Sequence, residues 1–318
     1  MTKIFITIIL NIFFSCIYVI NAQIGFSFGG DSLDIAQDLC LDQYGNIIIV
    51  GSFSKTADFN PGGSVYNLTS NGLLDNFIAK YSENGTLLWA VHFGGTGSDV
   101  AYGVTTDPLG NIYVCGSFSS QSDFNAGPGT DIRTPQGMTD VYIVKYNSDG
   151  SYSWAFTFGG DSNDTAYDII HDGNNSIYAI GSYEDTMRVL VDDPGSKLIT
   201  NGKKDVFLIK ISETGNYESA SSWGDKDDDE GFAVATNKNG TIYTGGYCTR
   251  IIIEPPASIS ALLAPKSDAD IFFSARTSDG TQLWNNRIGG NGHDQIVRGG
   301  IKLDSNGDLY LTGWFSDT

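Results

Sequence analysis

Apolar residues fall at every second position or in short unbroken runs along most of this chain, and no stretch shows the 3.6-residue spacing of a helix. The segments DVAYGVTTD (99–107), NIYVCGSFS (111–119), DVYIVKYN (140–147) and SYSWAFTF (151–158) each read as a strand bounded by turn residues. Two joints are tight hairpins: DPLGN and NSDG here, DQYGN and SENG in the preceding copy. In the third segment both faces are apolar, Phe77 and Ile78 in one copy and Tyr142 and Ile143 in the next. Such a sheet must be covered on both sides, which stacked sheets achieve and a two-layer sandwich with one wet face does not.

The pattern repeats with a period of 65 residues, as the glycine pairs at 29–30, 94–95, 159–160 and 289–290 make plain, with Gly224-Asp225 in the remaining place. Asp34, Asp99, Asp164, Asp229 and Asp294 keep that step, as do Asp75, Asp140, Asp205 and Asp270, and Gly51, Gly116, Gly181 and Gly246. Trp89, Trp154 and Trp284 share a position that Ser219 fills in the third unit. Four antiparallel strands per unit, repeated, predict an all-β fold, a β-propeller of four-stranded blades. A small residue at Ala36, Ala101, Ala166 and Gly231 suits the crowded strand nearest the axis. The units run 31–95, 96–160, 161–225 and 226–290, and a partial one fills 291–318, giving about four and a half blades. That number does not close a ring, so the chain is expected to be a fragment of a larger propeller with at least two further units.

The combination of glycine pair, strand-opening Asp, D..GN.Y hairpin, D.F..KY strand and closing Trp resembles the SBBP family, the seven-bladed β-propeller repeat of exported bacterial proteins, over residues 24–318. The inserts DFNPGG (58–63) and DFNAGPG (123–129) resemble those of surface proteins exported with a C-terminal sorting domain. A cell-surface or secreted location fits the start of the chain. Lys3 precedes a nearly unbroken apolar run from Ile4 to Ile20, and Ala22 offers a cleavage point before Gln23. Residues 1–22 therefore read as a signal peptide, and 23–318 as the repeats, with no transmembrane span in the mature chain.

Removing Lys3 with that leader takes the formal charge from −19 to −20. So acidic a chain repels nucleic acid and excludes it as a partner class. Cys40, Cys115 and Cys248 lack disulfide or zinc spacing and read as small buried apolar residues. Propeller connectivity puts the loops entering each unit and the long inserts, such as Lys55 to Leu74, on one face. The recurring acids Asp34, Asp99, Asp164 and Asp294 are expected to hold turns through backbone N–H groups. The acids that do not recur, Asp31, Asp161, Asp225, Asp227 and Asp228, with Asp229 and Glu230 beside them, are the candidates for ligand or cation contact. Calcium there would bind weakly, at about 10⁻⁴–10⁻³ M. Lys80, Lys145 and Lys210 read as an ion-pair position on the opposite face, and His92, His171 and His293 occupy unrelated positions.

These residues predict a non-enzymatic, exported binding or adhesion scaffold whose acidic loops face a surface glycan or protein, with no cofactor beyond weak calcium. The alternative is an enzyme. SENGTLLW, NSDGSYSW and TSDGTQLW resemble the tryptophan-docking motif of quinoprotein propellers, which implies pyrroloquinoline quinone with calcium.

Overall fold

The computed structural model describes residues 4–12, 20–190, 193–249 and 269–316, and within these the chain is all-β apart from one short turn of 3₁₀ helix at Pro194–Ser196. Unit one pairs Asp34–Leu41, Ile47–Phe53, Asp75–Tyr81 and Leu87–Gly95 in sequence order, each antiparallel to the last. Unit two repeats this with Asp99–Thr106, Ile112–Phe118, Asp140–Tyr146 and Tyr152–Gly160. Unit three uses Asp164–His171, Ser176–Arg188, Lys197–Ser212 and Tyr217–Trp223, its middle strands prolonged into a ribbon where the other units place an insert. Unit four has Glu230–Thr236, Ile242–Cys248, Asp270–Arg276 and Gln282–Ile288, and Asp294–Leu303 pairs with Leu309–Phe315 after it. Ile4–Ile12 runs antiparallel to Ile20–Gly30. None of these sheets closes on itself.

Each four-stranded unit buries both faces of its third strand, as the apolar pattern requires. Phe77 joins one core cluster and its neighbour Ile78 another, and Ile143 and Tyr142 divide in the same way. The first strands of successive units lie against one another, so the units gather around these strands.

The glycine pairs are where one unit is stitched to the next. Gly29–Gly30 pairs with Ala57–Asp58, Gly94–Gly95 with Ser122–Asp123, and Gly159–Gly160 with Met187–Arg188, so at these three joints a strand ends by hydrogen-bonding the segment that follows the next unit's second strand. A Cβ on Gly95 would lie 2.0 Å from the Gln121 carbonyl oxygen, and one on Gly160 would lie 1.7 Å from that of Thr186. Only glycine permits that approach. The inserts also meet the entry loops through parallel bridges, Leu74 to Ser98, Thr139 to Asn163 and Lys204 to Asp228, which puts both loop sets at one end.

The tryptophans serve the same joints on the outer half of each sheet. Trp89 Nε1 and Lys80 Nζ both donate to the Ser148 carbonyl of the next unit, at 3.3 and 3.2 Å, and the indole lies against Gly150. Trp154 and Lys145 grip the Glu213 carbonyl at 3.1 and 3.2 Å, with the indole against Gly215. Where Ser219 replaces the tryptophan, Tyr178 donates its hydroxyl to the Ser278 carbonyl at 3.2 Å. The recurring lysine adds an ion pair in two units, Lys80 to Asp42 at 3.0 Å and Lys210 to Glu218 at 2.9 Å, whereas Lys145 has no ion pair among the described residues and lies over the Tyr113 ring.

Candidate functional site

The recurring acids open the first strands, and in each unit one carboxylate oxygen accepts the N–H four residues earlier. The bonds are Gly30 to Asp34 at 2.6 Å, Gly95 to Asp99 at 2.7 Å, Gly160 to Asp164 at 2.6 Å, Asp225 to Asp229 at 2.7 Å and Gly290 to Asp294 at 2.8 Å. All five side chains are buried. In four of them burial outweighs the hydrogen bonds and raises the proton affinity, pushing Asp99 to about 6, Asp164 to about 8 and Asp229 to about 7, with Asp34 also raised.

The non-recurring acids do not gather into one site. Asp31 is exposed, and Asp161 is exposed with only the Arg188 guanidinium 4.0 Å away. Within 225–230, Asp225 accepts the Asp227 N–H at 3.0 Å, and Asp228 lies 3.8 Å from Lys203. Asp229 turns inward to its two backbone donors, Asp225 and Thr249. Glu230 takes Lys204 at 3.0 Å and the Tyr247 hydroxyl at 3.1 Å. Among the described residues no three His, Cys, Asp or Glu side chains are grouped so that they could hold a metal ion.

A different constellation is brought together by a defect repeated in every first strand. Pairing to the second strand skips one residue: Ala36 faces Gly51 and Asp38 faces Val50, leaving Gln37 unpaired. Tyr102, Tyr167 and Phe232 are skipped in the same way in the next three units. In the last unit four residues, Val297 to Gly300, stand between the paired Ile296 and Ile301, opposite Thr312 alone. Such bulges re-aim side chains out of the pleat. They explain the recurring second-strand glycines, since a Cβ on Gly51, Gly116 or Gly181 would lie 1.9 Å from a first-strand carbonyl oxygen.

The bulged side chains meet where the first strands gather. Ring centroids run from Tyr102 to Tyr167 at 5.4 Å and from Tyr167 to Phe232 at 5.0 Å. The series continues through Tyr247 at 5.8 Å, His293 at 4.9 Å and Trp314 at 5.2 Å. Arg298, in the enlarged bulge, places its guanidinium 4.4 Å from the Tyr102 ring and 5.2 Å from that of Tyr167. Its Nη1 donates to Gln37 Oε1 at 3.0 Å, which joins the last unit to the first. Beside these bulges Asp38 accepts the Val104 N–H at 2.9 Å and Asp168 the Val234 N–H at 2.8 Å. Burial, then the Asp38 charge, pushes Asp168 up to about 7, against the Lys302 charge that lowers it.

The sequence reading missed this group. Its trace is a break in alternation, Ala101-Tyr102-Gly103 inside an otherwise two-residue pattern, with an aromatic residue at the same place in three successive units.

A family model described as the SBBP beta-propeller repeat matches residues 88–125, from the fourth strand of unit one into the insert of unit two. An uncharacterized WD repeat-containing protein, L264 of Acanthamoeba polyphaga mimivirus, is 30% identical over 154 residues, 46% of this chain and 11% of the relative. The regulatory protein FlaEY of Caulobacter vibrioides is 24% identical over 225 residues, 67% of this chain and 22% of that protein. The chain thus spans between a tenth and a quarter of the length of these relatives. A crystal structure of a protein of unknown function from Bacteroides caccae aligns over 80% of this chain and 81% of its own, at 11% identity and a TM-score of 0.29. The repeat match at residues 88–125 of this all-β chain and the likeness to a WD repeat-containing protein both point to β-propeller repeats.

Proposed function

We propose that the protein is an exported, non-enzymatic binding scaffold of four-stranded propeller blades, which holds a surface glycan or protein at the meeting point of its first strands. The observation that carries this reading is the repeated bulge. Four units and the partial fifth each give up regular pairing at one place, and the freed residues, Gln37, Tyr102, Tyr167, Phe232 and Arg298, come together. Regular pairing abandoned at the same place in every unit is a departure from local consistency of the kind functional sites show. The scaffold holds these side chains on strands rather than on mobile loops, which favours a defined binding geometry. The likeness to a WD repeat-containing protein supports a binding role by analogy of fold only.

Export rests on the apolar run after Lys3. Cleavage after Ala22 would remove Ile4–Ile12 and leave Gly29–Gly30 paired with Ala57–Asp58. The test is to express the chain with its leader, sequence the N-terminus of the released protein, and probe arrays of glycans and matrix proteins with it. A product starting at Gln23, with saturable binding lost in the Tyr102→Ala/Tyr167→Ala double variant, is the expected result. Retention of Met1, or no saturable ligand, would overturn the corresponding half of the reading.

A further inference from the structure

We propose that the bulge residues form a site for a saccharide bearing a single carboxylate, with Arg298 as the carboxylate receptor. The inference rests on the scaffold reading and assigns its ligand class. Arg298 is exposed, and none of the described carboxylates lies within 4.0 Å of it, although the sequence has 37 acidic residues against 18 basic ones. The other described arginines with a recorded ion pair, Arg133, Arg188 and Arg287, are matched to Asp131, Asp161 and Asp270. In so acidic a chain, an accessible guanidinium that no carboxylate neutralises is a feature needing a reason.

The chemistry of the surroundings supplies one. Two tyrosine rings hold the guanidinium by stacking, and Gln37 takes Nη1. Nε and Nη2 make no hydrogen bond to the described residues, and a carboxylate is the planar anion that two such donors match in parallel. Phe232 in the ring series is buried, but Tyr102, Tyr167 and Tyr247 are half-buried and Trp314, at its far end, is exposed, which leaves ring surface for the C–H faces of a sugar. The formal charge of −19 decides how many carboxylates the ligand carries, because the field of the whole chain repels a polyanion while one guanidinium offsets one charge.

The enlarged bulge is what makes the site possible. A one-residue bulge like those of units one to four leaves a single residue unpaired, whereas the four-residue excursion with Gly299 at φ 62° adds a second side chain and turns Arg298 onto Tyr102.

The probes are a glucuronate-terminated oligosaccharide and its glucose-terminated twin, titrated calorimetrically into the native chain and into Arg298→Gln and Arg298→Lys at low and at moderate salt. The acid-terminated sugar should bind at least tenfold more tightly than its twin, and more weakly as salt rises. Arg298→Gln should remove that preference, and Arg298→Lys should keep part of it. Equal binding of the two sugars, a preference that survives Arg298→Gln, or free glucuronate binding as tightly as the oligosaccharide would overturn the assignment. A native chain that ignores both sugars, with an Arg298→Gln melt several degrees lower, would make Arg298 a clasp between units and overturn it too. If the chain then still binds another array ligand, the scaffold reading stands without this ligand class. If it binds nothing, both fall.

Discussion

Asp164 concentrates the chemistry that recurs through the chain: it is buried, one oxygen accepts the Gly160 N–H, and the other has no hydrogen-bond partner among the described residues. With its proton affinity pushed up to about 8, it is largely a neutral acid at pH 7. Asp164→Asn should therefore cost less than Asp164→Ala, which removes the acceptor and leaves a buried N–H unpaired at about 1–3 kcal/mol. Thermal melts at pH 7 compare the two. An Asn variant as unstable as the Ala variant would mean that the charge, not the acceptor, is what the turn requires. The carboxylate's place as a turn acceptor was readable from its position between a glycine pair and a strand. Its protonation was not, because that depends on the insert and neighbouring unit that bury it, at distances in sequence that no local pattern encodes.

At the scale of the strand, the recurring second-strand glycine and the first-strand bulge are one device. Gly116→Ala would drive a Cβ to 1.9 Å from the Val100 carbonyl oxygen and should destabilise by about 3 kcal/mol. Gly173→Ala, at φ 79° with nothing within 4 Å, meets only the left-handed backbone penalty of about 1–2 kcal/mol. Chemical denaturation of the two variants separates close approach from backbone conformation. If Gly116→Ala were the milder of the two, the pinch between strands would not be rigid. Strand limits, hairpins and the two-sided core of the third strand follow from alternation and turn residues, and Asp99–Thr106 falls within one residue of the segment read as a strand. The bulge escaped because one skipped residue shifts the phase within a single strand, too short a signal to separate from an ordinary irregularity until the partner strand is in view.

The strand-opening acids also set a pH dependence. Asp99, Asp164 and Asp229 bind protons more tightly in the folded chain than their ordinary value of 3.8, chiefly through burial. Folding then takes up protons between about 4 and 8, so the stability these groups confer is complete below that window and is lost as pH rises through it. Asp42 and Asp107 run the other way: burial would raise them, but hydrogen bonds, chiefly from Asn46 and Asn111, hold them low, so their contribution is lost only as pH falls below about 4. The melting temperature should therefore rise from pH 8.5 to pH 5.5, and Asp164→Asn should flatten the upper part of that rise. A melting temperature constant across this range would show that the carboxylates stay ionised in the folded chain.

At the scale of the molecule, stability is passed from unit to unit through repeated joints, and these joints differ. Between units two and three, Trp154 and Lys145 grip the Glu213 carbonyl, the indole packs on Gly215, and Gly159–Gly160 pairs with Met187–Arg188. Between units three and four Ser219 replaces the tryptophan, and the indole of Trp223 instead carries the Arg276 guanidinium 3.5 Å from its ring. In a repeat array the coupling between neighbours decides whether the chain unfolds as one body or in parts. Trp154→Ala removes both the stacked ring and a carbonyl donor, a loss of about 2–3 kcal/mol for a half-buried aromatic side chain. Because the strand pairing at Gly159–Gly160 remains, the units should stay folded but uncouple. Hydrogen exchange should then show protection falling in residues 161–249 before residues 34–95, with a denaturation curve broader than that of the native chain. A uniform loss of protection across all units, with a curve as steep as before, would show that the strand pairing alone carries the coupling and that the tryptophan only fills space.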